Sequence, residues 1–209
     1  MAALGRPRGF DREAALEAAM LLFWRKGYEA ASMNDLCDAM GVRSPSLYAA
    51  FGSKEALYLE AVEHYVRTQG PPVWDRLGEG ATARAGIEKF LIAGTERLPK
   101  SRTLPAGCMA ALAAVGDEWP PAIARVVKKV RLEMLGRLRA RLEDAVATGE
   151  LPASVDVEGL SRFYLSVFQG MAVQARDGAA PAELKAVAAA AMVAWPGEGQ
   201  SRSIENAGR

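Results

Sequence analysis

Arg43, Ser44 and Ser46 lie close together between Gly41 and Gly52, and they offer a cation and two hydroxyls to a partner rich in anionic or hydrogen-bonding oxygens. Pro45 among them suits the first turn of a helix, where its fixed φ fits and its missing N–H would have gone unpaired. Ser44 is expected to cap that helix, which then runs from Pro45 to Phe51. A helix start aims backbone amides and the positive end of the helix dipole at phosphate. Arg43 and Ser44 are therefore placed for phosphate, Ser46 faces outward, and Leu47 and Phe51 turn toward an apolar core. Duplex DNA suits this chemistry, because its major groove admits one helix and short polar side chains can read its base edges.

Groups for bond-breaking chemistry are scarce. The chain has one histidine, His64, and two cysteines, Cys37 and Cys108, far apart in sequence. These make neither a disulfide framework nor a zinc motif, and no catalytic residue, metal or cofactor is expected. Cys108 follows Gly107 at an expected helix start, where the dipole can lower a thiol's pKa. A small buried apolar residue is the plainer reading of it.

The candidate residues need short, capped elements to hold them. A first helix is expected from Asp11 to Lys26, with Leu16, Met20 and Phe23 on one face and Gly27 as its stop. Ser32, with Asp35 three residues on, resembles a capping box and opens a second helix whose apolar positions are Met33, Leu36, Cys37 and Met40. Gly41 ends it and leads to the Pro45–Phe51 helix. Ser53 caps a longer helix from Lys54 to about Thr68. Two short helices joined by a glycine turn match a helix-turn-helix. Gly70-Pro71-Pro72 reads as a break and a domain boundary. Beyond it, longer helices are expected at 83–98, 107–115, 122–147, 157–175 and 181–195.

Composition agrees with an all-α protein. Alanine (40) and leucine (21) far outnumber isoleucine (4) and threonine (5), and straight-chain or small residues lose little entropy in a helix. The net charge is +1, so any affinity for DNA must come from local charge. No apolar run is long enough for a membrane helix and the N-terminus lacks a secretory core. A cytoplasmic protein without membrane contact is expected.

The stretch Ser32 to Leu57, SMNDLCDAMGVRSPSLYAAFGSKEAL, resembles the DNA-binding segment of the TetR/AcrR family of bacterial regulators. Ser32, Gly41, Val42, Leu47, Tyr48, Phe51, Lys54, Glu55 and Leu57 fall where that pattern wants them. The resemblance implies that Tyr48 touches a phosphate, that Lys54 contacts the backbone from the next helix, and that Ser32 holds a phosphate at its helix start. Arg43, Ser44 and Ser46 are the groove contacts, with Met33 and Pro45 beside them. Ala49 and Ala50 depart from the larger polar residues often found there, so a thymine methyl contact or indirect readout would have to help. Arg6 and Arg8, in a glycine-flanked stretch, read either as a minor-groove arm or as a solubilising tail.

The family likeness implies a TetR-like architecture: a three-helix DNA-binding domain joined to a larger helical ligand-binding and dimerisation domain. The corresponding divisions are an arm at 1–10, the helix-turn-helix with its linking helix at 11–68, the receptor at 69–196, and a disordered tail at 197–209. Phe90, Gly94, Cys108, Met109, Leu112 and Trp119 are candidate ligand-lining residues. Phe163, Tyr164, Phe168, Met171 and Gln174 complete the set, and plain core packing is the alternative for each. The last two helices are expected to pair with a second copy through Leu160, Val167, Gly170, Leu184, Ala188, Ala191 and Trp195. Phe168 to Ala180, FQGMAVQARDGAA, also looks like one subgroup of these regulators. The expected protein is a homodimeric, ligand-responsive repressor of a pseudo-palindromic operator, released by a small-molecule inducer. A helical enzyme, or an interaction module that keeps the helix-turn-helix without operator binding, is the alternative.

Overall fold

The computed structural model describes residues 10–113 and 119–196. Every regular element among them is helical: α1 (Arg12–Ala30), α2 (Met33–Met40), α3 (Ser44–Phe51), α4 (Lys54–Gln69), α5 (Pro71–Trp74), α6 (Ala83–Arg97), α7 (Met109–Leu112), α8 (Pro121–Ala147), α9 (Val157–Arg176) and α10 (Pro181–Val193), with a 3-10 turn at Asp75–Gly78. No helix among the described residues is long and apolar enough to cross a membrane. The chain forms two compact units. One takes in Met1–Thr68 and Ala113–Val127, the other Gln69–Leu112 and Lys128–Arg209. Among the described residues, 113 and 119–127 thus lie within the C-terminal part of the sequence but group with the N-terminal helices.

Local chemistry explains the first unit. The Asp11 carboxylate accepts from the Glu13 and Ala14 amides at 2.9 and 3.2 Å and starts α1. Gly27, at φ 79°, kinks that helix without ending it; helical turns resume through Ala30. α2 opens with a full capping box: Ser32 Oγ accepts from the Asp35 amide and Asp35 Oδ2 from the Ser32 amide, both at 3.0 Å. It closes at Gly41, whose φ of 64° is open to glycine at no steric cost. Ser44 does not cap α3. Arg43 does, with an extended backbone whose carbonyl accepts from the Ser46 and Leu47 amides at 2.9 and 3.1 Å, and no side-chain oxygen closes that end. Ser44 is therefore the first residue inside the helix and Pro45 the second.

Leu16, Met20 and Phe23 of α1, Leu36 and Met40 of α2, Leu47 and Phe51 of α3, and Leu57, Tyr58 and Val62 of α4 form the core of this unit. Phe23 meets Tyr58 edge-on at 5.0 Å and Trp24 meets Tyr65 at 4.9 Å. Arg12 pairs with Glu60 at 2.6 Å and lies 4.4 Å over the Phe51 ring, so the start of α1 is tied to both α3 and α4.

Gly70-Pro71-Pro72 does interrupt the helix, since α4 ends at Gln69 and the units divide between Thr68 and Gln69, but a new short helix, α5, starts at once at Pro71. The prolines sit in the first turn of α5, the position where their missing N–H costs nothing. That turn brings Trp74 into the core, where it contacts Phe90 at 4.6 Å and Phe168 at 5.4 Å. Thr82 and Glu150 share the start of α6: Thr82 Oγ1 accepts from the Ala85 amide, and the Glu150 carboxylate from the Ala83 and Arg84 amides. The helix expected over 107–115 is shorter among the described residues, four residues from Met109 to Leu112, and residues 114–118 lie outside them. α10 ends at Val193, so Trp195 lies beyond the helix rather than on it.

Candidate nucleic-acid interface

α2 and α3 meet through the Gly41–Arg43 turn and present one side to solvent. Leu47 (0% exposed) and Phe51 hold α3 to the core, while Arg43, Ser44, Pro45, Ser46 and Tyr48 on the same helix are exposed. The Tyr48 ring stands out at 47%. Ser32 is exposed at the start of α2, and Met33 beside it is half-buried. The Ser32 hydroxyl also donates to Asp35 Oδ2 at 2.8 Å. Asp35 in turn takes a hydrogen bond from Lys26 Nζ at 2.8 Å, which, with the Ser32 bonds, lowers its pKa to about 2.

Lys54 is less free than its place in the sequence suggests. Its Nζ lies 4.4 Å over the Tyr28 ring and donates to the Glu29 carbonyl at 3.4 Å. Burial, with help from Glu55 and Glu29, raises the Tyr28 pKa and keeps the phenol neutral. A neutral aromatic face beside a lysine holds the ammonium in a set place. Tyr28 also touches Tyr58 at 5.2 Å and Trp119 at 5.9 Å. Tyr28 carried no signal in the sequence; it follows the kink at Gly27 and lies under Lys54.

Phe10, Gly41, Val42, Arg43, Ser46, Ala49 and Ala50 line an open hollow of about 360 Å³ on the outward side of α3. Phe10 is a wall that the sequence did not single out; Ala49 and Ala50, where a thymine methyl contact or indirect readout was expected to help, line the hollow with it. Arg6 and Arg8, the expected arm, lie outside the described residues.

The residues expected to line a ligand site separate in the structure. Phe90 and Phe168 meet at a tilt, 5.0 Å between ring centres, with Trp74 against both. Gly94 and Met171 belong to the same cluster: a Cβ on Gly94 would lie 3.3 Å from the Phe168 ring and 3.5 Å from Met171. Cys108 and Met109 are buried and Leu112 half-buried. Tyr164 is wholly buried, its hydroxyl has no hydrogen-bond partner among the described residues, and burial raises its pKa to about 12. Three of the expected residues lie away from this cluster. Trp119 belongs to the other unit and packs on Tyr28, because its segment folds with the N-terminal helices. Gln174 and Phe163 are exposed, Phe163 to 38%, because they lie to the side of the buried stripe Tyr164, Phe168, Met171 and Ala175 on α9. Trp74, missed because its neighbours read as a break, is central to the cluster.

The residues expected at a dimer contact divide too. Leu184 (0%), Ala188 (1%), Ala191 and Trp195 are buried in the chain's own core, so their apolar character serves the monomer. Leu160, Val167 and Gly170 keep part of their surface. The large apolar side chains that α9 and α10 leave open are instead Phe163, Val173 (48%) and Val193 (78%).

Residues 15–61 match the family of bacterial regulatory proteins of the tetR family, and residues 88–191 match the tetracyclin repressor-like C-terminal domain. The chain is 34% identical over 194 residues to the HTH-type transcriptional repressor ComR of Escherichia coli (strain K12), with 92% of each chain covered. It is 30% identical over 187 residues to the HTH-type transcriptional repressor BdcR of the same organism, with 90% of each covered. Among solved structures it is similar to a cysteine mutant of the TetR family transcriptional regulator CifR complexed with 26 bp double-strand operator DNA. That likeness has a TM-score of 0.87 and 41% identity, and covers 92% of this chain and 100% of that one. With a helix-turn-helix whose outward side carries Arg43, Ser46 and Tyr48, and relatives matched along nearly its whole length, the chain belongs to the TetR family of bacterial transcriptional regulators.

Proposed function

We propose that the chain is a cytoplasmic repressor that binds a pseudo-palindromic operator as a homodimer and leaves it when a small-molecule inducer binds. The observation that carries the reading is the exposed set Ser32, Arg43, Ser44, Ser46 and Tyr48 on two helices whose opposite sides are fully packed. Arg43 supplies charge to phosphate, the hydroxyls and Tyr48 fix register on the backbone, and Lys54, seated on Tyr28, adds a second cation. A relative at 41% identity is named as an operator complex. Phe163, Val173 and Val193, exposed on α9 and α10, support pairing of these helices with those of a second copy. A two-fold dimer then reads two half-sites about one helical turn apart, or a multiple of that.

Release follows from a population shift. An inducer held in the helical receptor, around the Trp74–Phe90–Phe168 cluster, favours a spacing of the two heads that no longer suits the operator. An enzymatic reading finds His64 already engaged. Its Nε2 bonds Glu17 at 2.6 Å, and Arg67, which can only donate, occupies Nδ1 at 2.9 Å.

Gel shifts of DNA flanking the protein's own gene, in rising salt, test the reading. A specific complex is expected, weakened by Tyr48→Ala, with Lys54→Ala lowering the salt slope by about 1. No specific complex there or in a random-site selection would overturn it.

A further inference from the structure

The outward side of α3 is chemically uneven. Arg43, Ser46, Ala49 and Ala50 recur at three- and four-residue spacing and so share one side of the helix, next to the side that buries Leu47 and Phe51. The N-terminal half of this stripe ends in a guanidinium and a hydroxyl. The C-terminal half ends in bare methyls, Ala49 exposed and Ala50 half-buried. Phe10 and Val42 stand beside them, and the group lines a hollow of about 360 Å³.

In the major groove the base edges present donors and acceptors, with one apolar exception, the C5 methyl of thymine. An alanine methyl cannot answer a donor or acceptor, and covering such an atom without a partner removes its water at a cost. A thymine methyl carries no such cost and gains from leaving water. We infer that Ala49 and Ala50, walled by Phe10 and Val42, form a thymine-methyl receptor and are specificity-determining residues of the reading head. Thymine is then selected by shape and apolar contact at the C-terminal half of α3, while Arg43 and Ser46 engage polar atoms alongside. Longer side chains at these two positions would fill the hollow and exclude the methyl. The inference rests on the DNA-binding reading above and adds to it which base feature this part of the helix reads.

The test uses the full-length protein and a duplex selected by it from a random pool. Each thymine of the selected half-site is replaced in turn by deoxyuridine, which deletes the C5 methyl and leaves base pairing and every groove donor and acceptor in place. One or two positions in each half-site are expected to lose about three- to fourfold in affinity, the worth of one buried methyl. Ala49→Gln, at an exposed position in a helix that glutamine tolerates well, is expected to abolish the deoxyuridine effect at one position and move the selected base toward adenine. Ala49→Ser, with the thermal midpoint of both variants measured, is expected to retain the fold and part of the thymine preference. A selected duplex bound equally well with deoxyuridine at every thymine overturns the receptor and leaves the DNA-binding reading standing. Failure to select any sequence overturns both.

Discussion

Single side chains here act through what they touch. Asp35 accepts from Lys26 and from Ser32, and these bonds hold its pKa at about 2, below the ordinary carboxylate value. A carboxylate whose folded pKa lies below its unfolded one stabilises the fold above the unfolded value, and the contribution is lost as pH falls through the folded value. The cap of α2 should therefore weaken between about pH 4 and pH 2. Thermal melts across that range should fall more steeply for the native chain than for Asp35→Asn. Tyr164 poses the opposite case, a buried hydroxyl without a partner among the described residues. Tyr164→Phe removes the unmet group and keeps the ring, so urea denaturation should show stability unchanged or raised by about 1 kcal/mol. A clear loss would mean that the hydroxyl is satisfied in solution.

At the scale of elements, the reading head depends on α3 being short and anchored by few side chains. Leu47 and Phe51 are its buried contacts, and Leu47→Ala should cost about 2–5 kcal/mol in urea denaturation, by lost burial and the cavity left behind. Operator affinity should fall with it, since a loosened α3 must be ordered again on binding. Tyr28 follows the kink at Gly27, and Lys54, Tyr58 and Trp119 all meet its ring. Helical periodicity made α1, α2 and α4 legible from their apolar positions. It could not find this aromatic contact, because the residues come from three distant stretches of chain. The start of α3 was misread by one residue for a local reason: serine before proline looks like a cap, whereas Arg43 takes the extended conformation and Ser44 the first helical place.

For the whole molecule, the apolar excess of α9 and α10 divides between a core and a face. Leu184, Ala188 and Ala191 belong to the core, and Phe163, Val173 and Val193 remain exposed, the face that the proposed dimer would use. Val193→Asp together with Val173→Asp should give a monomer by sedimentation velocity, with helical content and thermal midpoint close to the native values. Operator binding should fall by orders of magnitude, because two linked heads share one search and a single head does not. A dimer that persists with both aspartates present would place the interface elsewhere. The aromatic cluster of Trp74, Phe90 and Phe168 was partly foreseen, from Phe90 and Phe168 on separate apolar stripes. Trp74 was hidden behind two prolines that read as a break but begin a helical turn.

Helical class, caps and the order of short and long helices followed from composition and spacing, because these are governed by neighbours a few residues away. The reading head was legible as well, since its residue types and turn glycines all lie between Ser32 and Leu57. What only tertiary structure decided was the direction each apolar side chain faces. A stripe at helical spacing says that a helix packs against something, but not whether that partner is the same chain, a ligand or a second copy. Leu184 and Val193 sit on one apolar helix, and only the packing of α6, α9 and α10 buries the first and leaves the second open. The hollow beside Ala49 is likewise a property of assembly, since Phe10 is separated from it by two helices of sequence and reaches it only in the folded head.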